Sequence, residues 1–159
     1  MKKLLLIAAL IVALAFPTFS WAAGSCVQSA ARDAAGTTIL IKFVCTGDSG
    51  NGSIPNTDIN AVNMALVLNK SYLYTVTAYP TSGGTAPDAA DVSVYMNGMD
   101  LLGAKGVNLI HATATYDTFP YSTFMSSYRY PAIVSTVQVR VANQSTNSAN
   151  YTIELLFVK

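Results

Sequence analysis

Apolar and polar residues alternate with period two along most of this chain, the pattern of β-strands with one buried face. Thr37 to Cys45 sets Thr37, Ile39, Ile41, Phe43 and Cys45 on one face and Thr38, Leu40, Lys42 and Val44 on the other. Ser71 to Tyr79 predicts a second strand, with Tyr72, Tyr74, Val76 and Ala78 opposite Leu73, Thr75, Thr77 and Tyr79. Pro80 ends it, and Thr81-Ser82-Gly83-Gly84 with Pro87 makes a loop. Asp91 to Met96 follows with Val92, Val94 and Met96 in phase, and Asn97-Gly98 is a strong hairpin-turn signal. Val107 to Thr115 predicts a further strand. Ile133 to Ala142 carries Ile133, Val137, Val139 and Val141 against Gln138 and Arg140, and Tyr151 to Val158 carries Tyr151, Ile153, Leu155 and Phe157 against Thr152 and Glu154. Thr46 to Asn56 and Asn143 to Asn150 are polar loops. Asp58 to Asn69 reads either as a short helix capped at Thr57 or as a strand, with Val62, Met64, Leu66 and Leu68 favouring a strand in its second half. About six to eight short strands with turns between them predict an all-β fold, a single antiparallel β-sandwich of Ig-like or jelly-roll-like type over residues 23–159.

The two cysteines sharpen one part of that picture. Asp33-Ala34-Ala35-Gly36 is a turn, with glycine able to take positive φ. If the hairpin closes at Ala35-Gly36, cross-strand partners have numbers summing to 71, and Cys26 lies opposite Cys45. A disulfide there closes a loop stabilised by roughly 3 kcal/mol.

The N-terminus places that disulfide in an oxidising compartment. Met1-Lys2-Lys3 is a positive segment, Leu4 to Phe16 is unbroken apolar chain, and Pro17 breaks any helix. Ser20-Trp21-Ala22 supplies small residues at the −3 and −1 positions of a signal-peptidase site, so residues 1–22 are expected to be a cleaved signal peptide. The apolar run would rise only about 20 Å as a helix, short of a bilayer's hydrocarbon core, so no retained anchor is expected. The protein is therefore expected in the periplasm or outside the cell, touching membrane only through the signal segment before cleavage. Ala23-Gly24-Ser25-Cys26 also faintly resembles a lipoprotein processing box, which would lipidate Cys26 and leave Cys45 alone. Once Lys2 and Lys3 leave, seven basic residues face eight acidic ones, a net charge of −1. That balance gives no electrostatic footprint for nucleic acid and no polybasic patch for anionic lipid.

Candidate chemistry is sparse. His111 is the only histidine, so no zinc site can be built from His and Cys alone, and no serine elbow accompanies it. Asp88, Asp91 and Asp100 flank one strand and could approach each other, but without the spacing of a calcium loop; end-capping is the plainer use. No cofactor, metal or catalytic residue is expected, and the chain reads as a non-enzyme. The unusual segment is Tyr116 to Pro131, with Tyr116, Phe119, Tyr121, Phe124, Tyr128, Arg129 and Tyr130. Aromatic and arginine side chains carry much of the contact energy in interfaces. The segment is a candidate subunit interface, a candidate carbohydrate contact, or a loop packed over an open end of the sandwich. Asn-x-Ser/Thr sequons stand at Asn51, Asn69, Asn143 and Asn150, but the short Lys-Lys signal is of bacterial type, which makes them uninformative.

The run Tyr79-Pro80-Thr81-Ser82-Gly83-Gly84-Thr85-Ala86-Pro87-Asp88, then Asp91-Val92-Ser93-Val94, then Asn97-Gly98-Met99-Asp100-Leu101-Leu102-Gly103, resembles small head- or tail-associated β-sandwich proteins of phage virions. The strands at Thr136 to Val141 and Tyr151 to Phe157 resemble that group's closing hairpin. Where that group has a second glycine after Gly103 this chain has Ala104, and Met96 replaces an acidic residue before the turn. The resemblance implies a non-enzymatic structural subunit in a homo-oligomer or particle, contacting itself or other structural subunits. The alternatives are an exported bacterial surface or pilus-like subunit or adhesin, and a secreted carbohydrate-binding module.

Overall fold

A computed structural model describes residues 23–159; the expected signal peptide at residues 1–22 lies outside the described residues. Strands β1 (Ser25–Arg32) and β2 (Thr38–Thr46) form the predicted hairpin. Its register pairs Ser25 with Thr46, Cys26 with Cys45 and Arg32 with Ile39, as the turn composition predicts. Asp33 holds the turn: its carboxylate accepts from the Thr37 hydroxyl at 2.6 Å and from Thr38 N–H at 3.0 Å, while Gly36 takes φ 67°. These bonds hold the Asp33 carboxyl below its ordinary pKa, the Thr37 hydroxyl contributing most. Cys26 and Cys45 are disulfide-bonded across the hairpin, with Cα atoms 4.0 Å apart. Cys26 thus has a partner, and its sulfur is not free for lipid.

The remaining elements are β3 (Thr57–Asp58), α1 (Ala61–Val67), β4 (Tyr72–Pro80), β5 (Asp91–Met96), β6 (Met99–Asp100), β7 (Tyr116–Thr118), β8 (Tyr121–Ser122), β9 (Ser127–Tyr128), β10 (Val137–Ala142) and β11 (Asn150–Val158). They build a five-stranded sheet of order β1-β2-β11-β4-β7, a four-stranded sheet of order β3-β10-β5-β6, and the small pair β8-β9. Every pairing between strands is antiparallel, and the fold is an all-β sandwich. Ile39, Ile41, Phe43, Cys45, Ile153, Leu155 and Phe157 from one sheet meet Val92, Val94, Val137 and Val139 from the other in one continuous core. Burying such side chains contributes about 1.5–3 kcal/mol each before the ordering entropy is subtracted.

Asn97 (φ 51°) and Gly98 (φ 77°) make the tight turn between β5 and β6 that their residue types predict.

Four local expectations are corrected. Residues 61–67 form a helix rather than a strand, and its cap is Asn60 rather than Thr57, the Asn60 side chain accepting from Asn63 N–H at 2.9 Å. The helix buries Asn63, Met64 and Val67, a three-and-four spacing that its apparent alternation disguises. Val107 to Thr115 is not a strand. The Asp100 carboxylate accepts from Leu102 and Ala104 N–H and, with Val92 N–H bonded to Gly106 O at 2.8 Å, ties this stretch into successive turns. Only an isolated bridge between Ala90 and Ile110 remains of the expected ladder. The run from Ile133 is divided between the two sheets: Ile133 N–H bonds to Ser71 O beside β4, and the β10 ladder begins at Val137.

The fourth correction is in β4. Phe157 of β11 faces Leu73 while its neighbour Leu156 faces Thr75, so Tyr74 is an extra residue, a β-bulge. The bulge reverses side-chain parity. Leu73, Val76 and Ala78 point into the core, while Tyr72 and Tyr74 are turned outward rather than sharing the inner face with Val76 and Ala78.

Candidate functional site: an exposed aromatic ladder

The outward turn of Tyr74 brings the segment Tyr116–Pro131 together on the surface. Strand β7 pairs along β4 through Thr118, Asp117 and Tyr116, and Thr75 donates its hydroxyl to Thr118 O at 2.9 Å. Beyond it the chain turns into the β8-β9 pair. Tyr121 N–H bonds to Leu101 O at 3.0 Å and Arg129 N–H to Pro120 O at 3.0 Å. These few backbone bonds fix the positions of the rings.

The rings form a continuous ladder. Tyr130 stacks on Tyr74 with centroids 5.0 Å apart and planes 23° from parallel. Tyr74 meets Phe119 edge-on at 5.9 Å, Phe119 meets Tyr128 edge-on at 6.4 Å, and Tyr128 meets Tyr121 edge-on at 5.3 Å. The Lys105 ammonium lies 4.6 Å from the Tyr121 ring centre and ends the row. Offset-stacked and edge-on pairs of this kind contribute roughly 0.5–1.5 kcal/mol each beyond their buried area. The ladder therefore holds its own shape without being core.

Exposure sets it apart from the interior aromatics. Tyr128 is 61% exposed and Tyr130 50%, whereas Phe43, Tyr151 and Phe157 are fully buried. Of the candidate residues, Phe119, Tyr121, Tyr128 and Tyr130 join the ladder. Arg129 lies beside it, lining an open hollow of about 360 Å3 with Tyr72, Tyr130 and Val158 and a smaller one that reaches Tyr121 and Phe124. Phe124 is 93% exposed at the tip of the segment. Tyr116 stands apart, edge-on to His111 at 5.4 Å. Tyr74, Phe119, Tyr128 and Tyr130 are thus exposed, unlike the aromatic side chains of the core. Tyr72 and Tyr74 were missed as site residues because only the bulge turns them to this face. An aromatic pair on a strand next to an aromatic loop was the available signal.

The other chemical candidates are dispersed by the fold. The Asp88 carboxylate accepts from the backbone N–H and hydroxyl of Ser145; Asp91 accepts from Asn108 N–H and the Asn143 amide; Asp100 accepts from Val94, Leu102 and Ala104 N–H. Asp88 and Asp91 both tie the 143–145 loop to the chain around β5, while Asp100 clasps its own turn. Among the described residues no group of three or more His, Cys, Asp or Glu is gathered where it could hold a metal ion. The His111 Nδ1 lies near Thr113 N–H at 3.3 Å. Burial pushes the Tyr151 phenol above its ordinary pKa, with the nearby charge of Asp88 adding to the effect, so the group stays neutral. Among the described residues no helix is long and apolar enough to cross a membrane.

No family model, no curated protein and no solved structure matches the chain.

Proposed function

We propose that this protein is a non-enzymatic structural subunit that acts by protein–protein contact, with the aromatic ladder as its contact surface. The observation that carries the reading is the row Tyr130–Tyr74–Phe119–Tyr128–Tyr121, held together by its own ring contacts, with every ring but the half-buried Tyr121 exposed to solvent. A preformed aromatic surface loses little side-chain entropy on association, and the adjoining Arg129 adds a guanidinium able to pair or stack. The partner is a second copy or another structural subunit, as in the virion proteins that the loops resemble.

The Cys26–Cys45 disulfide favours an oxidising setting and supports a second reading, an exported surface or pilus-like subunit. In both, the same surface makes the contact. The stacked tyrosines would also suit sugar rings, the alternative of a secreted carbohydrate-binding module.

The test is sedimentation velocity on the protein and on the Tyr128→Ala/Phe124→Ser double variant. Both side chains are exposed, so the melting temperature should fall by only a few degrees, from the two lost ring contacts, while oligomers shift to monomer. A wild-type protein that stays monomeric at high concentration, alone and with particle components, removes the self-assembly reading. A large loss of stability in the variant would show that the rings serve packing instead.

A further inference from the structure

The four-stranded sheet has a second organised surface, on the face turned away from the core. Tyr95 of β5 and Gln138 of β10 are directly paired, and Gln138 also pairs with Asp58 of β3. These three side chains therefore lie in one row across three strands. The Asp58 carboxylate accepts from the Gln138 amide at 2.8 Å, and the Gln138 carbonyl oxygen accepts from Arg140 Nε at 2.6 Å. The Arg140 guanidinium carbon sits 3.9 Å from the centre of the Tyr95 ring. One edge and one face of the guanidinium are thus held, which fixes its plane.

What remains of Arg140 is unused. Among the described residues it forms no ion pair, and its two Nη groups make no hydrogen bond. Arg140 borders an open hollow of about 360 Å3, where Asn97, Ser135 and Thr136 bring further polar groups. A guanidinium already immobilised on an aromatic face presents its two terminal nitrogens as a fork matched to the two oxygens of a carboxylate, at low ordering cost. The charge count narrows the ligand. Arg140 is the one cation of the hollow and Asp58 borders it too, so a dianion would meet repulsion that a monoanion largely escapes. The Asp58, Asn97, Ser135 and Thr136 side chains suit hydroxyl groups, as acceptors and donors.

We propose that this hollow binds a hydroxylated monocarboxylate of the uronic-acid type, its carboxylate on the Arg140 fork and its hydroxyls against Asp58, Asn97 and Thr136. The site lies on a different sheet from the Tyr74–Tyr130 stack, and its ligand does not depend on what the aromatic ladder contacts.

The test is titration of the 15N-labelled protein with sodium glucuronate, following backbone signals of Asn97, Gly98 and Thr136 and the Arg140 Nε–H signal. Saturable shifts in that group with a half-point near ~1–10 mM are expected for one monosaccharide. Arg140→Lys, which keeps the charge and loses the fork, should weaken binding about tenfold, and Arg140→Ala should abolish it with the melting temperature retained. Glucose at equal concentration should give no shift, acetate a weaker one, and inorganic phosphate none stronger than glucuronate. No saturable shift up to ~50 mM would overturn the site. So would unchanged binding by Arg140→Ala, equal binding of glucose, or tighter binding of phosphate. Equal binding of acetate would overturn the part assigned to the hydroxyl groups.

Discussion

The β1-β2-β11 frame and the segment Tyr116–Pro131 use the same kinds of residue to opposite ends. In the frame, Phe43, Tyr151 and Phe157 are fully buried; in the segment, Phe119, Tyr128 and Tyr130 stand at the surface. Hydrophobicity does not separate them. Ladder length does. Strands β2 and β11 pair over nine consecutive residues, so a slip by one position would turn a whole row of core side chains to solvent. Strands β8 and β9 pair over only two residues, and β7 over three. There the backbone can follow the surface, and the rings satisfy one another instead of the core.

Core truncation should break the comparison most sharply. Phe43→Ala should lower the unfolding free energy by about 3–5 kcal/mol, and Tyr128→Ala, which loses two edge-on ring contacts, by about 1–2 kcal/mol, both read from urea unfolding. Similar losses from the two would mean that the ladder is core after all. Next in size is the crosslink: Cys26→Ser with Cys45→Ser should cost about 3 kcal/mol while leaving the ladder contacts and the β1-β2 register unchanged, seen as a lower urea midpoint with native near-ultraviolet circular dichroism.

The smallest effect concerns the hairpin turn. Asp33 has a folded-state pKa below its ordinary 3.8, so it stabilises the fold above that value and the gain is lost as pH falls through the folded pKa. Asp33→Asn should therefore flatten the acid side of the stability–pH profile below the ordinary value of 3.8. Because the group is exposed, the change will be small. A variant whose acid limb matches the parent's would show that the two turn bonds leave stability untouched.

Much of the frame was legible in the residues themselves. Gly36 and the turn around it set the cross-strand register, and that register places Cys26 against Cys45 through local chemistry alone. The alternations of Ile39–Cys45 and Tyr151–Phe157 named the inner faces correctly. The pattern failed where local signals were ambiguous. Val62, Met64, Leu66 and Leu68 alternate, yet the Asn60 cap and the burial of Met64 and Val67 make that stretch a helix. Val107, Leu109 and His111 also alternate, yet the Asp100 carboxylate draws the chain before them into turns. The candidate segment was found from its composition, but its arrangement was not.

The sequence by itself determined the all-β class, the hairpin register and the disulfide, because period-two patterning and turn chemistry act over a few neighbouring residues. Only the tertiary structure decided the exposure of Tyr72 and Tyr74, and with it the composition of the ladder. An inserted residue is defined by the strand it faces: Tyr74 is extra only in relation to Leu156 and Phe157, some eighty positions along the chain. The Arg140 fork depends in the same way on Tyr95, Gln138 and Asp58 meeting across three strands.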